Sequence, residues 1–283
     1  MEIAGEQIYP IGLGTWHMGD SSAEKTAELA ALSTGLVQTT PDAKVALDTA
    51  EMYGEGNSER LVGEALKTIQ RDTIYLISKV YPWHASKNQL PQSLDASLKR
   101  LNTDYLDLYL LHWPGDIPLE ETVAAMESAK QAGKIRNWGV SNFDVADLKA
   151  LAQVPNGKNC VANEVLYNLG NRGIEFDLLP YMKEINLPLI AYSPVAQGDT
   201  LGNQFLADEL LQNLAKKYQC TIFQLLLAFA IRNNDTLAIP QSSNKQHVLA
   251  NFAAANILLT ADEWELIASH YPAPTKKQPL AVL

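Results

Sequence analysis

Cysteine is nearly absent from this 283-residue chain: Cys160 and Cys220 are the only two, and both sit among apolar neighbours. One disulfide is the most they could form, and two buried thiols in a reducing compartment is the preferred reading. Long apolar runs are missing as well. No segment approaches the roughly 20 apolar residues of a membrane span, and the opening MEIAGEQIYP has neither the basic start nor the apolar stretch of a signal peptide. A soluble cytoplasmic protein is expected. Positive charge is scarce, with 22 Lys and Arg against 32 Asp and Glu and a net charge of -10. No Lys/Arg-rich stripe stands out, which argues against a nucleic-acid partner while leaving room for a local cluster of donors around an anionic cofactor. The chain also lacks a Pro/Gly/Ser-rich linker, a low-complexity tract and a short solenoid repeat. His17, His84, His247 and His270 show no H-x-x-x-H or Cys/His spacing, so no metal site is expected. Gly12 and Gly14 begin a dinucleotide-binding glycine pattern, but its sixth position is His17, and the pattern fails.

What the chain does contain is a regular alternation. Hydrophobic residues make up 47% and charged ones 19%, enough for a sizeable core. Short runs rich in branched and aromatic residues fall at 11–15, 45–48, 74–79, 106–112, 135–141, 160–165, 187–193 and 236–240. Helical stretches lie at 23–32, 58–69, 89–101, 119–132, 144–151, 176–185, 205–231, 245–255 and 261–270. Start signals include Asn57-Ser58-Glu59 and Asp262-Glu263, and Gly133 marks a helix end. A strand that stays apolar throughout is buried on both faces, as in a parallel sheet covered by helices. Eight strands each followed by a helix, without a linker, fit one α/β domain over 1–283, a (β/α)8 TIM barrel, with an irregular tail from about 271. An open doubly wound sheet is the runner-up.

In a parallel barrel the C-terminal strand ends meet at one rim, so four residues far apart in sequence should converge. They are Asp48 and Tyr53 in LDTAEMYGEG, Lys79 in IYLISKV and His112 in LDLYLLHW. A phenol with an ordinary pKa of about 10 is a poor acid at neutral pH. An ammonium beside it should lower that value, with Lys79 as the ammonium and Asp48 its counter-ion. His112 can hydrogen-bond a carbonyl oxygen. Such a set can polarise and protonate a carbonyl but lacks a hydride, which implies a nicotinamide cofactor.

Each residue also has an ordinary reading. A lone lysine at a strand end is usually a solvated charge, and a histidine beside Trp113 usually packs. The ordered set on successive strands favours function. Asp48 and Glu51 could suggest a glycosidase pair, but three residues apart on one loop they cannot flank a sugar bond. Tyr105, Tyr109, Trp138 and Trp264 are expected to pack. Trp16, Tyr81, Trp83, His84 and Trp113 follow strands and should ring the substrate mouth, favouring small carbonyl compounds.

From residue 11 to about 255 the chain resembles the aldo-keto reductases. GLGTW at 12–16, LDTAEMYG at 47–54, ISKV at 77–80, LDLYLLHWP at 106–114, GKIRNWGVSN at 133–142, NEVLYN at 163–168 and AYSP at 191–194 all match in order. The resemblance implies NADPH-dependent reduction of aldehydes and ketones with Asp48, Tyr53, Lys79 and His112 as catalytic tetrad. It implies nicotinamide contacts at Ser141, Asn142, Glu164 (where the family usually has Gln) and Tyr192. Gly14, Thr15, Trp16 and Asp48 join the cofactor contacts. The diphosphate is expected near Ser193, Pro194, Val195 and the stretch after Gln197. The adenosine end is expected at Ile239, Pro240, Gln241, Ser242, Ser243, Asn244, His247 and Asn251. Family members preferring NADPH often carry Lys and Arg where this chain has Gln241 and His247, so NADH is the alternative cofactor. Substrate contacts fall to Trp16, Tyr53, Trp83, His112 and Trp113. RGIEFDLLP at 172–180, YPW at 81–83 and the PAP tail look most like bacterial members reducing methylglyoxal and similar aldehydes. A monomer is expected. The rival is a nicotinamide-binding sensor barrel with slow chemistry, less favoured because the chain begins almost at its first strand.

Overall fold

The apolar runs alternate between two environments, and that alternation builds both the core and the floor of the site. The computed structural model describes residues 1–38, 40, 42–196 and 202–283. Two strands, β1 (Glu2–Ile3) and β2 (Glu6–Gln7), form an antiparallel hairpin. The main sheet runs in sequence order through β3 (Leu13–Gly14), β4 (Val45–Asp48), β5 (Ile74–Val80), β6 (Leu106–Leu111), β7 (Ile135–Ser141), β8 (Asn163–Leu166), β9 (Leu189–Tyr192) and β10 (Thr236–Ala238). Every neighbouring pair is parallel. Parallel bridges from Ile11 to Ala238 and from Gly14 to Gln241 join the first strand to the last and close the barrel. The closing seam needs a bare backbone, because a Cβ at Gly14 would stand 2.6 Å from the Ile239 carbonyl oxygen.

Leu47, Leu76, Tyr109, Leu111, Val140, Val165 and Ala191 face outward into the cluster shared with the helices. Between them, Ala46, Tyr75, Ile77, Leu108, Leu110, Ala162, Ile190 and Leu237 fill the barrel interior. This period of two is strand geometry, and burial of both faces is why the runs read as unbroken apolar stretches. Ile3 of the hairpin and Ile8 just after it pack into the same interior cluster. That hairpin was not foreseen; two-residue strands carry too little periodicity to read.

Around the barrel run α1 (Lys25–Leu36), α2 (Asn57–Leu66), α3 (Leu90–Leu101), α4 (Leu119–Gln131), α5 (Val145–Leu151), α6 (Leu178–Glu184), α7 (Gly202–Leu206), α8 (Glu209–Lys217), α9 (Ile222–Ala230), α10 (Lys245–Ala253) and α11 (Ala261–His270). The single helix expected over 205–231 is three. Gln219 turns left-handed (φ 51°), and Thr221 opens α9 with a capping box to Gln224. The first helix runs to Leu36 rather than 32, and the first barrel strand keeps only Leu13–Gly14. Ser58 caps nothing: α2 starts from the left-handed Gly56, and the Ser58 hydroxyl bonds Thr15 instead. The last helix is capped by Thr260, with Glu263 as its reciprocal partner. Gly133 (φ 74°) follows α4 as expected of a helix-ending glycine. Among the described residues, no helix is long and apolar enough to cross a membrane.

Candidate active site

Continuing the interior alternation one step past the apolar plug produces the site. Asp48 lies two residues beyond Ala46, Lys79 beyond Ile77, His112 beyond Leu110, Glu164 beyond Ala162 and Tyr192 beyond Ile190. Cross-strand register aligns Asp48 with Ile77 and Ser141 with Glu164, so these side chains share one rim. Above them opens a cavity of about 600 Å³, within the range of small-molecule sites.

Lys79 is fully buried. Its ammonium donates to both oxygens of Asp48 (2.6 and 2.7 Å), to the Thr49 carbonyl (3.0 Å) and to the Tyr53 hydroxyl (3.2 Å). A second carboxylate, Glu164, approaches it at 3.4 Å. Burial works against the ammonium, but Asp48 above all overcomes it and holds the proton on Lys79 above the ordinary lysine range. Tyr53 stands in the turn after β4, where its amide bonds Ala50 and left-handed Gly54, Glu55 and Gly56 carry the chain into α2. Burial raises its phenol above the ordinary tyrosine value, and Lys79 offsets this only in part. This corrects the expectation of a lowered phenol: desolvation, invisible in sequence, outweighs the ammonium.

His112 closes the opposite wall, its ring edge-on to Tyr53 at 5.8 Å. Burial first, and Lys79 second, push its pKa down to about 2, so the imidazole is neutral. The Nδ1 atom of His112 and the Oε2 atom of Glu164 are buried without a hydrogen-bond partner. Ser141 Oγ and the Asn142 amide both donate to the Glu164 carbonyl (2.9 and 2.8 Å), and the Tyr192 hydroxyl donates to Asn142 Oδ1 (2.9 Å). Thr15 ties β3 to β4 by donating to the Asp48 carbonyl at 2.8 Å, with Ser58 behind it at 2.7 Å.

The cavity brings together most of the residues singled out from the sequence. Gly14, Thr15, Trp16, Asp48, Tyr53, His112 and Trp113 line it, together with Ser141, Asn142, Glu164 and Tyr192. Ser193, Pro194, Val195, Ile239, Pro240 and Gln241 extend it along the rim. The stretch after Gln197 lies outside the described residues. Ser242, Ser243, His247 and Asn251 lie beyond the cavity lining, on and before α10. Asn244 caps that helix, accepting from the amides of Gln246 and His247. Trp83 is also outside the lining: it stacks on Tyr81 at 4.4 Å and meets Trp113 edge-on at 5.7 Å, buttressing the wall. His84 bonds Glu51 at 3.1 Å. Three lining residues were missed, His17, Met52 and Leu283. Met52 belongs to the quoted LDTAEMYG stretch and was readable as a neighbour of Tyr53; the return of Leu283 to the cavity had no local signal. Trp138 packs as expected, 2% exposed, with its indole N–H on Glu127.

A family model described as the aldo/keto reductase family matches residues 10–272. Methylglyoxal reductase YeaE of Escherichia coli (strain K12) is 44% identical over 281 residues, covering 99% of this chain and 97% of that protein. A crystal structure of an aldo/keto reductase from Klebsiella pneumoniae in complex with NADP and acetate matches with a TM-score of 0.93 at 45% identity, covering 98% of this chain and 96% of that one. Another from the same species, in complex with NADPH, has a TM-score of 0.93 at 43% identity and covers 100% of both chains.

Proposed function

Because the chain belongs to the aldo/keto reductase family, we propose that it reduces small aldehydes and ketones of the methylglyoxal class to alcohols with NADPH. One observation carries the reading: Tyr53 offers its hydroxyl into the cavity 3.2 Å from an ammonium that Asp48 holds in place. The residues fit a nicotinamide ring. Glu164, whose Oε2 is buried without a partner, lines the cavity there beside Ser141, Asn142 and the half-buried Tyr192 ring. When bound, that cofactor supplies the hydride.

The chain's own residues do the rest. Tyr53 keeps its proton in the resting site, since burial disfavours the phenolate, and gives it to the substrate oxygen as negative charge develops there. Lys79 stabilises the phenolate as it forms and so acts on the transition state. Asp48 fixes the ammonium's position and charge. His112, being neutral, has one N–H to orient the carbonyl. Trp16, Trp113 and Met52 supply apolar walls that favour a small uncharged substrate. One chain holds every side chain this chemistry uses, in keeping with a monomer, and its two free cysteines suit the cytoplasm.

Gln241 and His247 leave the rim without the fixed positive charges that a 2′-phosphate would meet, and Lys245 at the start of α10 is the cation nearest them in the chain. NADPH remains the assignment. The test is kcat/KM for methylglyoxal with NADPH and with NADH. Turnover led by NADPH is expected; a strong NADH preference overturns the cofactor assignment, and cofactor binding without turnover of any small carbonyl favours a sensor.

A further inference from the structure

Two carboxylates and one ammonium meet on the inner wall, and that stoichiometry is informative. Among the described residues that line the cavity or touch these acids, Lys79 is the single cation. Asp48 takes it at 2.6 and 2.7 Å, while Glu164 stands off at 3.4 Å; its other oxygen meets no donor, and its carboxyl lies within hydrogen-bond reach of Asp48. Both acids are almost wholly buried, at 1% and 2% exposure. Two anions cannot be balanced there by one ammonium, so one acid carries a proton. The weaker grip of Lys79 on Glu164 makes it the protonated one.

We propose that Glu164 discriminates between the redox states of the cofactor: it meets the reduced nicotinamide as a neutral carboxylic acid, and releases its proton to solvent when it faces the positively charged oxidised ring. This rests on the nicotinamide reading above. In the neutral form Glu164 offers an O–H donor and a C=O acceptor, as a glutamine amide offers N–H and C=O. As a carboxylate it supplies a negative charge, which attracts the oxidised ring and leaves the neutral one without a donor. The sign follows by linkage: affinity for NADP+ rises with pH, and affinity for NADPH falls. Burial, then the neighbouring Asp48, hold Glu164 well above the ordinary carboxyl range.

The groups facing Glu164 do not mimic this behaviour. Burial raises Asp48 as well, but Lys79 opposes that rise and keeps it the anion of the pair. Tyr53 and Tyr192 stay protonated, burial raising both phenols, and Lys79 stays charged. His112 stays neutral. His17 at the cavity edge, His247 on α10 and the dinucleotide's 2′-phosphate are common to both redox forms and cancel in a ratio.

The test measures Kd for NADP+ and NADPH by tryptophan fluorescence, from about pH 6 to about pH 9, in wild type and Glu164→Gln. The ratio Kd(NADPH)/Kd(NADP+) should rise in wild type, by at most about tenfold per pH unit, and stay flat in the variant. Calorimetry of the wild type in two buffers of different ionisation enthalpy should show proton release with NADP+ and, in the pH range where affinity for NADPH falls, proton uptake with NADPH. Equal slopes in the two proteins, or no proton release, overturn the proposal even if both cofactors bind well. Failure of the wild type to bind either form at any pH would instead bring down the nicotinamide reading, and this inference with it.

Discussion

Lys79 grips both oxygens of Asp48 across neighbouring parallel strands, at 2.6 and 2.7 Å, with neither side chain open to solvent. Removing one partner of a buried pair strands the other charge, which costs about 3–5 kcal/mol. Lys79→Met should therefore lose stability on that scale in urea unfolding, as well as activity. The double variant Lys79→Met, Asp48→Asn should recover about 1–3 kcal/mol of the loss, because no orphan anion remains. A double variant no more stable than the single one would mean that the pair is not coupled as drawn.

Tyr53 is the proton donor of this account, and a phenyl ring in its place keeps the shape of the wall. Tyr53→Phe should lower kcat by about 10²–10⁴-fold, the usual range for a general acid, with the Kd for NADPH changed little. Steady-state kinetics beside a fluorescence titration separates the two quantities. Turnover near the wild-type level would rule out the phenol as the acid.

The depth of these groups was the part that the sequence could not express. Asp48, Lys79 and His112 were legible because each ends an apolar run at an interior-facing position, where a polar residue breaks the pattern. The eight strands were legible for the same reason, since burial on both faces leaves an unbroken apolar signature. Whether Lys79 lowers the Tyr53 phenol depends on how much water is excluded, and residue order carries no measure of that. Hydrogen bonding decided the helix break at Gln219: the Thr221–Gln224 capping box starts a new helix inside an apolar pattern that runs straight through it. At Trp83 the expectation stopped at the loop, whereas stacking on Tyr81 turned the ring away from the cavity.

His112 makes a prediction about acid stability. In the unfolded chain its imidazole titrates near the ordinary value of about 6.5, whereas in the folded protein it is pushed down to about 2. The unfolded state thus takes up a proton first as pH falls, so the stability is present above about pH 6.5 and is lost below it, at about 1.4 kcal/mol per pH unit. Between pH 7 and pH 5 the wild type should lose about 2 kcal/mol more than His112→Gln, whose side chain does not titrate. Urea unfolding at the two pH values measures the difference. Identical pH slopes would mean that the folded imidazole accepts its proton normally.

The tail returns to the cavity from its anchor at Lys277, whose ammonium reaches Asp144 at 2.6 Å and Asp177 at 2.9 Å. Gln278 to Ala281 then pass beside Ile174 and Leu178, and Leu283 arrives at the cavity lining, where its main chain meets the Tyr192 hydroxyl. An ion pair this exposed is worth about 0–1 kcal/mol, so Lys277→Ala should move Tm by no more than about 2–4 °C. Its effect belongs in binding: a loosened tail removes part of the wall that substrate and transition state touch alike, which raises KM and leaves kcat unchanged. A two- to fivefold rise in KM for a small aldehyde is the expected size, since about 1 kcal/mol is fivefold. If kcat falls while KM holds, the tail acts instead on the proton-transfer geometry through Tyr192 and Asn142, the pair joined at 2.9 Å beside it.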